Sequence, residues 1–336
     1  MIFFNLVSFL ELRIYLCKNI LFTLKKYNSI FEFSSIKKTI ITLGTFDGVH
    51  LGHQAILKKL VTASENGKYE SLVLTFYPHP RMVLNQENAM HLLNTIEEKT
   101  ILFEKFGIDH LIVHPFDESF SKLSAEEFVK TVLVDQLNIH KIIIGYDHRF
   151  GENRSANITD LIEFGKKYNF EVVQINAEEI NEITVSSTKI RTALLDGAIE
   201  FANQYLGYDY FFSGKVIKGK QLGRTIGFPT ANIILLESYK LLPKNGVYVV
   251  YSTINNNRMY GMMNIGHNPT VGENNKTIEV HYFDVNEDLY DKIVTVSILK
   301  FIRTEVKFES IDALKMQLNK DREFSKNYLR ELTPES

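Results

Sequence analysis

Tryptophan is absent from this 336-residue chain, and cysteine occurs once, at Cys17. A single thiol excludes an intrachain disulfide framework and any zinc site built from several thiolates. There is no low-complexity tract, internal repeat or long linker. Charged residues make up 23% and apolar ones 45%, so a fibrous or generally disordered chain is excluded. An excess of one charge is also missing, since 40 acidic residues against 38 basic ones leave a net −2. Proteins that live on the nucleic-acid backbone carry a strong basic excess, so no nucleic-acid partner is expected.

Ile2–Leu10 is apolar apart from Asn5 and Ser8, and Glu11, Arg13 and Lys18 then break the pattern. Nine residues are too few to span a bilayer. The positive flank and small-residue cleavage point of a secretory leader are missing. Residues 1–26 therefore read as an extension of unknown role: an accessory helix or translation from an upstream start codon, with a membrane anchor the weaker alternative. The expectation is a cytoplasmic protein with no membrane partner.

What is present falls into two textures. From Thr39 to about Leu206, short β-branched runs alternate with helical patterns. Thr39–Leu43, Ser71–Phe76, Leu111–Val113, Lys141–Ile144 and Glu171–Ile175 read as buried strands. Thr95 with Glu98, and Ser124 with Glu127, have capping-box spacing and each opens an amphipathic helix. That alternation predicts an α/β fold with a doubly wound parallel sheet, whose ligands collect beyond the carboxyl ends of the strands. After Tyr208, turn residues punctuate the runs Phe211–Val216, Gly246–Thr253, Tyr260–Ile265, Thr277–Asp284 and Lys292–Leu299. A helical period returns only over Ile311–Leu329. This predicts a small antiparallel β-barrel closed by a C-terminal helix. The expected domains are residues 27–207 and 208–336.

The first expected strand runs into Gly44–His53, which reads GTFDGVHLGH. Gly44 and Gly48 let the backbone turn sharply and approach a ligand closely. A helix beginning near His50 offers its N-terminus to an anion, and His50 and His53, three apart, share one helix face. Zinc held by the two histidines and Asp47 is the rival reading, but the place in the sheet favours a nucleotide. Three later segments return to the same sheet edge: Pro78–Arg81, Gly145–Gly151 and Val185–Arg191. The last supplies the hydroxyls and amides of Ser187 and Thr188 and the cations Lys189 and Arg191.

In the second half, Gly214–Lys220 is a glycine-flanked lysine loop, with Gly214, Lys218, Gly219 and Lys220 able to wrap phosphates. It is not a Walker loop. Gly223–Asn232 follows, passing Gly227 and ending in Pro229-Thr-Ala-Asn232. On an extended chain Thr230 and Asn232 point to one face. By spacing alone they read either as turn caps or as hard oxygen ligands for Mg2+.

Gly44–His53 together with Ser186–Arg191 is similar to the signature of the HxGH nucleotidyltransferase superfamily. Pro229–Asn232 resembles the PTAN motif of riboflavin kinases. From about Tyr27 to Leu329 the chain resembles the prokaryotic bifunctional riboflavin kinase/FAD synthetase family. The resemblance implies an N-terminal Rossmann-like domain that transfers AMP from ATP to FMN. It implies a C-terminal barrel that phosphorylates riboflavin, both with Mg2+. It further implies that His50 and His53 contact the ATP phosphates, with Ser187, Thr188, Lys189 and Arg191 closing over them. The Gly44–Phe46 turn lies near the adenosine, Asp47 and Gly52 are further nucleotide-binding residues, and Pro78 and Asp147 help form the adenine and flavin sites. In the barrel it makes Thr230 and Asn232 the metal ligands, Glu279 the base, and Asn264 and Arg303 neighbours of nucleotide or flavin. The implied partners are nucleotides and flavins, with self-association possible. Two other readings stand beside it: an HxGH adenylyltransferase acting on a different phosphate, and a flavin-binding regulator without turnover.

Overall fold

Thr39–Leu43 is buried at all five positions, which a strand achieves only when helices cover both faces of its sheet. The computed structural model describes residues 23–64, 67–84, 90–145, 148–175, 186–219, 222–254, 257–267, 276–285 and 287–332. Asp147, Lys220, Cys17 and the apolar start lie outside the described residues. β1 (Lys25–Tyr27), β2 (Thr39–Leu43), β3 (Glu70–Phe76), β4 (His110–His114), β5 (Ile139–Gly145) and β6 (Glu171–Ile175) form one parallel sheet. Its order is β1-β4-β3-β2-β5-β6. β1 escapes a reading of the sequence because it is a three-residue edge strand with two exposed lysines and no apolar run.

Helices α1 (Leu51–Ala63), α2 (Ile96–Phe106) and α3 (Ile158–Tyr168) accompany the sheet. Both expected capping boxes form. Thr95 Oγ1 accepts from Glu98 N at 3.1 Å, and Glu98 Oε2 accepts from Thr95 N at 3.0 Å. Ser124 and Glu127 make the second. Beyond it, only Ala125–Glu127 is α-helical, and Phe128–Gln136 winds as a π-helix that buries Phe128, Val129, Val132 and Leu133. A capping box marks where a helix starts but says nothing of the hydrogen-bond register that follows.

Packing divides the described residues into two units. One holds those up to Met90 and from Lys99 to β6; the other holds His91–Glu98 and everything from Ser186 onward. The second unit contains a closed antiparallel barrel in the order β10-β11-β8-β7-β12-β9. Its strands are β7 (Phe211–Ile217), β8 (Ala231–Leu235), β9 (Gly246–Ile254), β10 (Asn257–His267), β11 (Lys276–Tyr282) and β12 (Ile293–Arg303). Phe212, Val250, Met263, Val280 and Val296 fill its core, together with Leu194 and Leu206 from α4 (Ser187–Asp196) and α5 (Ile199–Leu206). The C-terminal helix α6 (Ile311–Leu332) packs Leu318 and Leu329 against Phe228, Met262 and Phe283. β8 is the strand hidden by the turn-rich text before it, and it positions Asn232.

One ion pair lies within this second core. Lys240 and Glu98 meet at 2.7 Å, both side chains 1% exposed. The ammonium also donates to the carbonyls of Leu93 and Phe211 and lies 4.4 Å from the Tyr210 ring centroid.

Candidate active sites

In the parallel sheet the chain steps from β2 to β3 and β4 on one side, then to β5 and β6 on the other. The crevice beyond the carboxyl ends of β2 and β5 is therefore the topological switch point, where ligands of such folds collect. Gly44 leaves β2 with its N–H donating to Leu74 O at 3.1 Å. The turn that follows has positive φ at Phe46 (48°), Gly48 (87°) and Val49 (36°). A non-glycine residue held in that region costs on the order of 1–3 kcal/mol and persists only where its surroundings demand it. Here Phe46 and Val49 are buried, and the Lys99 ammonium donates to Thr45 O at 2.8 Å.

His50 is the N-cap of α1, yet its side chain makes no capping bond. Its ring stacks instead on His53, with centroids 3.7 Å apart and planes 17° apart. The Phe46 ring stands edge-on to His53 at 5.2 Å, and His53 Nδ1 is buried with no hydrogen-bond partner. Burial first, then the neighbouring His50 and Lys99, hold the His53 pKa well below the usual imidazole value. His53 is therefore a neutral ring at physiological pH, with one N–H to donate at the start of a helix. Gly44, Phe46, Asp47, His50, Gly52 and His53 thus come together in one turn and the helix it opens.

Lys99 escapes a reading of the sequence. Its signal was available: Ile96, Lys99, Leu102 and Phe103 share one helix face, and a lysine among buried apolar residues asks for a partner. Pro78 is exposed just past β3. Ser187, Thr188, Lys189 and Arg191 open α4 in the second unit, where Ser186 caps the helix by accepting from Lys189 N at 3.3 Å. Arg191 Nε donates to His91 O at 3.3 Å.

The barrel gathers a second set. Glu279 on β11 lies directly opposite Asn232 on β8 and Asn264 on β10. Residues opposite in antiparallel strands share a face, and since Ile278 and Val280 are buried in the core, all three point outward. Thr230 Oγ1 donates to Glu279 Oε2 at 3.2 Å. A Cβ on Gly219 would come 2.2 Å from Asn232 Nδ2, so the loop after β7 lies against that amide. His281, two residues beyond Glu279 on the same strand, has Nδ1 2.8 Å from Pro229 O. A carbonyl can only accept, so Nδ1 carries the proton and ties down the turn holding Thr230. His281 was legible only as a strand residue, because its partner lies on another segment.

Other expected residues have visible structural duties. Gly214 lies inside β7, where a Cβ would meet Ile233 Cγ2 at 2.4 Å. Lys218 Nζ is 5.9 Å from the Tyr290 ring centroid, and Gly227 turns the chain at φ +84°. Asn264 Nδ2 donates to Glu305 Oε1 at 3.4 Å. Arg303 makes a forked bond to Asp321, with Nε 3.0 Å from Oδ1 and Nη2 2.7 Å from Oδ2. Asp321 is buried, so this guanidinium anchors α6 to the end of β12.

Among the described residues, no three His, Cys, Asp or Glu side chains group as a metal-binding set. Thr230, Asn232 and Glu279 do bring hydroxyl, amide and carboxylate oxygens together. These hard donors suit Mg2+, which keeps water and phosphate oxygens in its remaining positions.

The FAD synthetase family pattern matches residues 33–189, and the riboflavin kinase pattern matches residues 206–329. The bifunctional riboflavin kinase/FMN adenylyltransferase of Buchnera aphidicola subsp. Schizaphis graminum is 41% identical over 309 residues, spanning 91% of this chain and 96% of its own. The Listeria monocytogenes protein of the same name is 38% identical over 303 residues, spanning 90% and 95%. A crystal structure from Streptococcus pneumoniae, described as a macrolide-efflux protein, superposes with a TM-score of 0.82 at 31% identity. It covers 90% of this chain and 98% of its own. Among the described residues, no helix is long and apolar enough to cross a membrane. Two matched domains in tandem, and relatives aligned over nearly their whole length, place the chain in the bifunctional riboflavin kinase/FMN adenylyltransferase family.

Proposed function

We propose that this chain runs two consecutive steps: riboflavin and ATP give FMN and ADP, then FMN and ATP give FAD and pyrophosphate. One observation carries the reading, namely that two separate constellations are formed in one chain. They are the stacked His50–His53 pair at a helix start and the Thr230–Glu279–Asn232 cluster on the barrel.

The first step deprotonates a neutral ribityl hydroxyl, and Glu279 is the general base that accepts its proton. Thr230 orients that carboxylate, while Asn232 and the segment after β7, with Lys218, Gly219 and Lys220, hold the nucleotide phosphates; Gly214, expected in that loop, belongs to β7 instead. Mg2+, when held by Thr230 and Asn232, neutralises charge on the phosphate oxygens. Asn264 lies beside this site, and Arg303 supports it by holding α6 against the barrel.

The second step needs no base, because the FMN phosphate is already an anion. Positioning and charge stabilisation carry it. His50, His53 and the α1 N-terminus donate to the phosphates of ATP, and the family resemblance gives Ser187, Thr188, Lys189 and Arg191 a part in binding the same nucleotide. The Gly44–Phe46 turn shapes the adenosine side, Asp47 and Gly52 are further nucleotide-binding residues, and Pro78 and Asp147 border the adenine and flavin sites. In this reading the activities divide near Leu206–Tyr208, the protein works in the cytoplasm, and its partners are nucleotides and flavins rather than nucleic acid.

Incubation of the purified chain with riboflavin, ATP and Mg2+, followed by chromatography, should show FMN and then FAD. Accumulation that stops at FMN removes the adenylyltransferase half, and tight FMN binding without any product restores a regulatory reading. In the same assay His53→Ala should slow FAD formation roughly 10²-fold, the scale of losing one preorganised donor, with FMN formation unchanged.

A further inference from the structure

Lys99 is 1% exposed, on the face of α2 that carries Ile96, Leu102 and Phe103. Burial of an ammonium is strongly unfavourable unless the surroundings answer its charge. Its Nζ donates to Thr45 O, the first carbonyl after Gly44 in the turn that leads to His50. One turn further along α2, the Phe103 ring packs perpendicular to Phe46 at 5.7 Å. α2 therefore backs the turn with an apolar wall and one cation. Burial lowers the Lys99 pKa below the usual lysine value; Asp47, buried in the same turn, opposes that shift without cancelling it, and Lys99 in turn depresses His53. Charge at Lys99 is thus felt across the turn. The hydrogen bond to Thr45 could have been supplied by an uncharged amide; a lysine adds charge where no exposed salt bridge can use it.

We infer that Lys99 is a positioning residue of the adenylyltransferase turn, fixing the Thr45 carbonyl and adding a buried positive charge that strengthens binding of the nucleotide's polyphosphate. This rests on the reading of Gly44–His53 as the ATP site. Screening by water is weak at a buried position, so the charge acts over several ångströms, and its effect scales with the number of phosphates bound.

The test uses the full-length chain, with pyrophosphate and adenosine as inhibitors of FAD formation from FMN and ATP. In Lys99→Met, which keeps the apolar stem, the Ki for pyrophosphate and the KM for ATP should rise roughly tenfold, as expected for loss of one buried charge. Adenosine carries no charge, so its Ki should stay within about twofold. Riboflavin phosphorylation should be unchanged and reports that the chain is folded. Lys99→Gln keeps a donor for Thr45 but not the charge, and carries the same expectation should the Met variant fail to fold. Unchanged pyrophosphate inhibition in either variant overturns the inference, as does an equal rise for adenosine, which would mean simple collapse of the turn. Failure of the wild-type chain to form FAD would instead remove the underlying reading of the site.

Discussion

Glu279→Gln should lower the rate of riboflavin phosphorylation by about 10²- to 10⁴-fold, the usual contribution of a general base, and leave adenylylation of supplied FMN intact. The substitution keeps the shape and an oxygen for the Thr230 hydroxyl, which donates to Glu279 Oε2 at 3.2 Å. What it removes is the ability to take a proton. Since Glu279 also stands opposite Asn232 on the ladder, the amide side chain preserves the packing against Asn232. The loss should therefore appear in kcat, with the KM for ATP changed only slightly. Two assays on one preparation decide it: ADP release with riboflavin, and FAD release with FMN. Equal loss of both activities would mean that Glu279 supports the fold rather than the kinase chemistry.

Lys240→Met should destabilise the second unit by about 3–5 kcal/mol, the range for breaking one side of a buried ion pair. The size follows from what stays behind. Glu98 is 1% exposed, and without Lys240 its carboxylate keeps only neutral donors: Ser213 N on Oε1 and Thr95 N on Oε2, both at 3.0 Å. The carbonyls of Leu93 and Phe211 also lose their donor. Adding Glu98→Gln removes the stranded charge and should recover much of the loss, because an uncharged pair is far cheaper to bury than one lone ion. Urea unfolding followed by circular dichroism reads both variants. A loss below about 1 kcal/mol for Lys240→Met would show that the pair is not desolvated as the structure has it.

How much of this could be read in advance differs by element. β2, β3 and β5 announce themselves as β-branched runs because parallel strands inside the sheet are largely buried. β6 reads as a buried strand too, but it lies at the sheet edge and buries only Ile175. β1 is three residues long and carries its meaning in its pairing partner, so no local pattern marks it, and the apolar run of β8 is masked by the turn residues before it. The π-helix at Phe128–Gln136 follows a capping box like that of an ordinary helix start, and it buries Phe128, Val129, Val132 and Leu133. In the sites, Gly44, His50, His53, Thr230 and Asn232 stand in short motifs whose chemistry is visible from residue type and spacing. Lys99 and His281 work through carbonyls at Thr45 and Pro229, far away in the chain.

The sequence by itself determined the two textures of the chain, the turn that opens α1 and the donor types available at each motif. These depend on neighbours within a few residues, where backbone conformation and helix or strand period are decided. Only the tertiary structure decided that Asn232, Glu279 and Asn264 stand in one row, because strand register is set by packing across the barrel. It alone decided that Lys99 answers Thr45 and that Lys240 answers Glu98. A buried charge finds its partner through the docking of whole elements, and that docking is a property of the folded core rather than of any local stretch of chain.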